Sequence, residues 1–223
     1  MPSEHRLYFS KTGTARYISH LDLMRTFQRA FLRAGITIRH TEGYHPHAFV
    51  SLPLPLSTGF SSECEVLDFE LVSGAPMQEV PGRMNAALPA GITVERCYEA
   101  ERKVKELTYV RYRVTLDYEN GVPAAAGERV RELFSRVSLP VSKKSKKSKD
   151  GQVTVDVIPL IRSFDCTQEG STLVLDTVIR AQNPGLNPEV LVTAIRTECP
   201  DLAPDYVAYH RVAMLDAAGE IWE

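Results

Sequence analysis

The chain has 223 residues, of which 43% are hydrophobic and 24% charged, and its 26 Lys and Arg against 28 Asp and Glu leave a formal net charge of −2. That length allows one large or two small domains with enough apolar residues for a core, so wholesale disorder and a coiled coil are excluded. No apolar run approaches the roughly 20 residues needed to cross a bilayer, and Met1-Pro2-Ser3-Glu4-His5-Arg6 lacks a signal-peptide layout, so a cytoplasmic protein with no membrane partner is expected.

In chain order, Arg6 to Lys11 reads as a strand on its aromatic residues, and Thr12-Gly13-Thr14 breaks it. Arg16-Tyr17-Ile18-Ser19-His20-Leu21-Asp22 leads into a helix with Ser19 as N-cap and Asp22 three residues on, a shortened capping box. Leu21, Leu23, Met24, Phe27, Ala30, Phe31 and Ala34 give that helix an apolar face, and Gly35 ends it. From Ile36 to Gly59 the prolines forbid a central strand or helix, so an ordered loop with short edge-strand pieces is expected. Glu65 to Leu71 alternates as a half-exposed strand, a helix follows around Met77 to Ala87, and Ile92 to Cys97 is another strand.

The second half begins with a strand from Tyr109 to Leu116 and a helix from Ala124 to Phe134. Leu139 to Val155 reads as a pair of strand ends around a lysine-rich loop, and Leu173 to Arg180 as a strong strand. A helix from Pro188 to Glu198, N-capped by Asn187, and a strand from Tyr206 to Leu215 complete it. Strand, helix, two strands, helix, strand is thus read twice, with the lysines on an insertion in the second copy. The expected fold class is α+β, two tandem ferredoxin-like (βαββαβ) halves over residues 1–102 and 103–223, with antiparallel sheets and helices on one face.

The near-zero net charge conceals segregation. Through residue 47 there are seven basic residues (Arg6, Lys11, Arg16, Arg25, Arg29, Arg33, Arg39) against Glu4, Asp22 and Glu42, and five of the six histidines. Lys143, Lys144, Lys146, Lys147 and Lys149 are five of the chain's eight lysines. Such a field suits a polyanion even when the total charge is slightly negative. Arg16, Ser19 and His20 gather at a helix start, where free backbone N–H groups favour phosphate. His20 is the candidate general acid or base, oriented by Asp22 or a loop group. The bland alternative is that His20 packs while Asp22 pairs with Arg25.

Arg25, Arg29 and Arg33 recur every four residues as a stripe that either tracks a nucleic-acid backbone or is a solvated face. Tyr44, His45, Pro46 and His47 form a candidate ligand or partner loop, and Tyr44, Phe49 and Phe60 a candidate stacking surface for bases. The spacing of His40, Glu42, His45 and His47 fits no metal motif, and the four cysteines are far apart, so neither a metal nor another cofactor is expected. Walker, dinucleotide-binding and GxSxG motifs are missing from the sequence.

The segments Arg16-Tyr17-Ile18-Ser19-His20-Leu21-Asp22-Leu23, Thr41-Glu42-Gly43-Tyr44-His45-Pro46 and Ser51-Leu52-Pro53-Leu54-Pro55-Leu56 resemble the radical-SAM-associated protein family. Members stand alone or are fused to B12-binding-type radical SAM proteins. The resemblance spans nearly the whole chain and implies a radical SAM partner, with an RNA or ribosome context. A weaker likeness, to the RAMP-type endoribonucleases that process CRISPR repeats, implies a histidine such as His20 as general base. Three functions follow as expectations: an accessory protein presenting RNA to a radical SAM enzyme, a metal-independent endoribonuclease using His20, or a module whose loop from Gly43 to Gly59 docks on the radical SAM partner.

Overall fold

A computed structural model describes residues 4–144 and 152–223. It is mixed α and β with antiparallel sheets, and it divides into two compact units, Met1–Glu106 with Ile221–Glu223, and Leu107–Glu220.

The first unit runs β1 (His5–Lys11), a 3-10 turn (Gly13–Tyr17), α1 (His20–Arg33), β2 (Thr37–Ile38), β3 (Val50–Ser51), β4 (Ser61–Phe69), β5 (Leu71–Ser73), α2 (Val80–Ala87) and β6 (Ile92–Glu99). Central β1 pairs antiparallel with β4 on one side and β6 on the other, and β3 adds to β4, giving the order β6, β1, β4, β3. Leu7 and Phe9 of β1, Leu67 and Phe69 of β4 and Val94 of β6 meet Leu23, Phe27, Ala30 and Phe31 of α1 and Met84 of α2 in one core. Phe9 stands edge-on to Phe27 at 4.8 Å, and Phe31 lies 4.9 Å from Phe69. Burying each such side chain contributes about 1.5–3 kcal/mol, so the apolar stripe of α1 fixes which helix face remains in water.

The strand expected at 65–71 to be half exposed is instead buried from Glu65 to Phe69 at the end of β4, and half-buried Leu71 begins β5. Its charges are accommodated rather than solvated. Asp68 receives Arg6 in a bidentate pair, Nε to Oδ1 at 2.6 Å and Nη2 to Oδ2 at 3.1 Å. The indole of Trp222, from the returning C-terminal segment, lies 4.5 Å from that guanidinium and donates from Nε1 to the Lys103 carbonyl at 3.2 Å. Gly91, at φ +88°, ties the 3-10 turn to the entrance of β6. Its carbonyl accepts from Thr12 N at 2.7 Å, and a Cβ there would meet Thr12 O at 2.5 Å. Only glycine permits both the left-handed backbone and this approach.

The second unit runs β7 (Tyr109–Asp117), α3 (Ala126–Phe134), β8 (Pro140–Lys144), β9 (Gln152–Asp156), β10 (Ile161–Glu169), β11 (Thr172–Arg180), α4 (Glu189–Glu198) and β12 (Tyr206–Leu215). Its sheet has the order β10, β11, β7, β12, antiparallel throughout. Among the described residues, the strand ends around the lysines pair with each other alone, as the hairpin β8–β9. The sheet strand preceding β11 is β10, an element the sequence pattern misses. Asp156 closes the hairpin base, its Oδ1 accepting from Leu139 N at 2.9 Å and Ile158 N at 3.2 Å and its Oδ2 from Ser138 Oγ at 2.8 Å. α4 begins at Glu189 with Pro188, not Asn187, at the N-cap position, and the Asn187 side chain accepts from Glu189 N at 3.0 Å from one residue further out.

Candidate nucleic-acid interface

The start of α1 is built by short-range contacts. Ser19 Oγ accepts from Asp22 N at 3.3 Å and donates to Asp22 Oδ2 at 2.7 Å, while Arg25 Nη1 donates to Asp22 Oδ1 at 3.2 Å. The Ser19 hydroxyl first, and then the Arg25 guanidinium, hold the Asp22 carboxyl below its ordinary range. Asp22 therefore belongs to the cap and to Arg25. No hydrogen bond joins it to His20 among the described residues. The half-buried His20 ring opens the helix, and its Nδ1 is buried with no hydrogen-bond partner among the described residues.

Arg16 contributes in two ways. Its carbonyl is a structural hub, accepting from the buried Lys11 ammonium at 3.0 Å and from Gly59 N at 2.8 Å. Its guanidinium lies 4.8 Å above the exposed Tyr17 ring and donates to the Tyr17 hydroxyl at 2.7 Å. This places a cation and an aromatic face together one turn before α1.

Along α1 the arginine stripe divides. Arg25 and Arg29 are exposed and, being four residues apart, rise about 6 Å along the helix axis. Arg25 is tethered to Asp22, whereas Arg29 has no ion-pair partner among the described residues. Arg33, though exposed, donates to the Ala87 carbonyl at 2.6 Å and so satisfies the C-terminal end of α2. Its guanidinium is committed to the fold.

The residues after β2 fold back as a narrow loop. Thr41 N donates to His47 O and Phe49 N to Arg39 O, both at 2.8 Å, with a β-bridge from His40 to Ala48 between them. Gln28 of α1 anchors this loop through Nε2 to Ala48 O at 2.8 Å. Arg39 stacks 4.5 Å over Phe49 and pairs with Glu70 at 2.7 Å. The tip projects Tyr44, 95% exposed, edge-on to His45 at 4.9 Å, and Pro46 and His47 are exposed beside them. His47 Nδ1 lies 3.1 Å from Thr41 Oγ1 and 3.2 Å from the His45 carbonyl, and His40 Nδ1 lies 3.2 Å from Ile38 O. These histidines serve the loop, and among the described residues no group of three or more His, Cys, Asp or Glu could hold a metal ion.

Lys143 and Lys144 pair through their backbones with Val153 and Gln152 in the β8–β9 hairpin. Lys146 and Lys147 lie outside the described residues. The candidate residues thus fall into a helix-start cluster with two exposed arginines along the helix, an aromatic and histidine loop tip, and a lysine hairpin in the other unit. Gln28 is the positioning residue that sequence reasoning misses, since an amide on a polar helix face carries no signal of the carbonyl it holds.

Residues 5–188 match a family described as "Uncharacterized protein conserved in bacteria (DUF2344)". No curated protein matches the chain. Among solved structures, the fold is similar to a chain of "Crystal Structure of a Cbf5-Nop10-Gar1 Complex", with a TM-score of 0.50 and 9% identity over 94% of this chain and 48% of that one. This chain therefore spans about half the length of that structure, and at such identity the likeness concerns fold alone. A further match, "Crystal Structure of an Unknown Protein from Galdieria sulphuraria", is 10% identical over 96% of this chain and 100% of that one, with a TM-score of 0.29. Among the described residues no helix is long and apolar enough to cross a membrane.

Proposed function

The chain belongs to this family of uncharacterised bacterial proteins, and we propose that it is a non-catalytic accessory protein that binds RNA and presents it to a radical SAM enzyme. The observation that carries the RNA half of this reading is the exposed face of α1. Arg25 stands in the second turn after the Ser19 cap and Arg29 one turn further along the helix, with Arg16 stacked on Tyr17 just before the helix start and Tyr44 exposed on the loop that Gln28 anchors. Exposed cations track a phosphate backbone, and exposed rings stack on unpaired bases. The resemblance of the segments at 16–23, 41–46 and 51–56 supports the radical SAM half.

We read each unit as ferredoxin-like. The strand orders β6, β1, β4, β3 and β10, β11, β7, β12 support this, because each places the first strand centrally between the fourth and third of a βαββαβ unit. The short β3 and the inserted β8–β9 hairpin are the departures.

The place of His20 at the first position of α1, four residues after Arg16, favours a second reading, a metal-independent endoribonuclease. A general base needs its second ring nitrogen held by a partner, and the described residues supply none, so presentation is the stronger reading. The test is a titration of labelled small RNA with the full chain and with Arg25→Glu/Arg29→Glu. Intact, bound RNA that the folded double variant releases supports presentation. Cleavage abolished by His20→Ala supports the nuclease, and absence of binding at low salt rejects both.

A further inference from the structure

Beside the α1 face lies a groove of about 390 Å³ between the helix and the segment from Gly35 to Ala48. Its volume falls at the small end of the roughly 300–1,000 Å³ range of ligand pockets, which suits one compact ligand rather than a length of helix. Phe31, Ile36 and Ile38, all core residues, make its apolar floor, and Leu32, 81% exposed, forms part of the rim. Gln28, Arg29, Thr37 and His40 are the polar residues that line it.

Gln28, His40 and Arg29 have capacity to spare. Gln28 uses Nε2 on Ala48 O, which leaves its Oε1 as an acceptor with no partner among the described residues. His40 directs Nδ1 at Ile38 O, so the tautomer that donates there leaves Nε2 as a second hydrogen-bonding atom. Arg29 is a guanidinium without an ion-pair partner among the described residues.

We propose that this groove takes a single unstacked nucleotide, its base over the apolar floor and its phosphate on Arg29. Charge complementarity assigns the anion to Arg29, and Gln28 Oε1 and His40 Nε2 match the donors and acceptors of a base edge. An alkyl carboxylate or fatty anion would satisfy Arg29 but leave Gln28 Oε1 and His40 desolvated and unpaired. A nucleotide reaches the groove either free or as one residue of single-stranded RNA. The proposal deepens the RNA reading above and names the place where that strand would be held base-first.

Four nucleoside monophosphates, a labelled eight-nucleotide single-stranded RNA and dodecanoate are titrated against the full chain and two variants, with near-ultraviolet circular dichroism to establish folding. Thr37→Phe fills the groove from an exposed position on its wall, and Arg29→Gln removes the cation. Saturable binding of a monophosphate is expected, lost in Thr37→Phe and weakened about tenfold or more in Arg29→Gln, the worth of a charge-assisted hydrogen bond. If the RNA is held in the same groove, the monophosphate competes with it. If a monophosphate binds in this way but RNA does not, the groove serves free nucleotides and the RNA-presenting role fails on its own. RNA binding that neither competes with monophosphates nor responds to Thr37→Phe overturns the groove proposal while leaving the presenting role intact. Tighter binding of dodecanoate than of every monophosphate also overturns it.

Discussion

Replacing Asp68 by alanine strands a buried cation beneath the sheet that supports α1. Arg6 and Asp68 have side-chain exposures of only 1% and 4%, and the guanidinium makes two bonds to the carboxylate. Trp222 stacks on the Arg6 guanidinium, and its one further bond among the described residues, Nη1 to the Arg102 carbonyl at 3.3 Å, is long. Removing one partner of such a pair costs about 3–5 kcal/mol, because the charge left behind keeps its desolvation penalty and loses its compensation. At roughly 2–4 °C per kcal/mol for a chain of this size, thermal unfolding falls by on the order of 10 °C. The double variant Arg6→Met/Asp68→Leu removes both charges and keeps the volume, and should recover most of that loss. Differential scanning calorimetry of wild type, Asp68→Ala and the double variant reads the difference. An Asp68→Ala shift of less than about 2 °C would show that the cation is relieved in another way, and a double variant as unstable as the single one would refute the charge argument, since burial of charge would then not be the cause.

The other predictions concern pieces nearer the site. Arg33→Ala loses the bond to the Ala87 carbonyl and should lower stability by about 0.5–1.5 kcal/mol in urea while leaving RNA affinity unchanged; a loss of affinity with unchanged stability would return Arg33 to the binding face. Asp22, Asp156, Asp201, Glu106 and Glu223 are all held below their ordinary values of 3.8 and 4.5, by Ser19, by the Leu139 amide, by Arg129, by the Lys103 amide and by Arg96 respectively. Carboxyls depressed in the folded state contribute stability that is complete above the unfolded values and lost as pH falls through the folded ones. Urea midpoints should therefore be flat down to about pH 5 and decline below it, and a midpoint still unchanged at pH 3 would contradict the shifts. Burial pushes the Cys97 thiol up to about 12 and the Cys166 thiol up to about 11, so both should resist a disulfide reagent at pH 8 until urea unfolds the chain. Fast labelling of the half-buried Cys97 or the buried Cys166 in the native protein contradicts the raised thiols.

Features set by neighbours in the chain were legible in the sequence. The Ser19 cap with Asp22 three residues on is a local device, and the apolar stripe of α1, apart from Leu21 which stays exposed, and the alternation of β7 carry their own periods. The second half misled for an equally physical reason. β10 is mostly exposed and lacks an apolar alternation, whereas Val141 and the Gln152–Asp156 stretch look like sheet but close on each other. The half-exposed reading of β4 failed because Asp68 is neutralised from 62 residues away, beyond any window in which a lone aspartate can be told from a solvated one. At the site, the same limit separates the arginines. Nothing in their four-residue spacing distinguishes Arg29, open to solvent, from Arg33, whose acceptor lies 54 residues on.

The most direct test of the presenting role is the salt dependence of binding to a labelled single-stranded RNA, measured with wild type and Arg25→Glu/Arg29→Glu while the integrity of the RNA is followed on a gel. Each phosphate contact on a single strand contributes about −0.7 to the slope of log K against log salt, so losing two contacts should flatten it by about 1.4. The account predicts intact RNA, affinity that falls steeply with salt, and that flattening in a natively folded variant. Binding with the same slope in both proteins, or none at low salt, would contradict it.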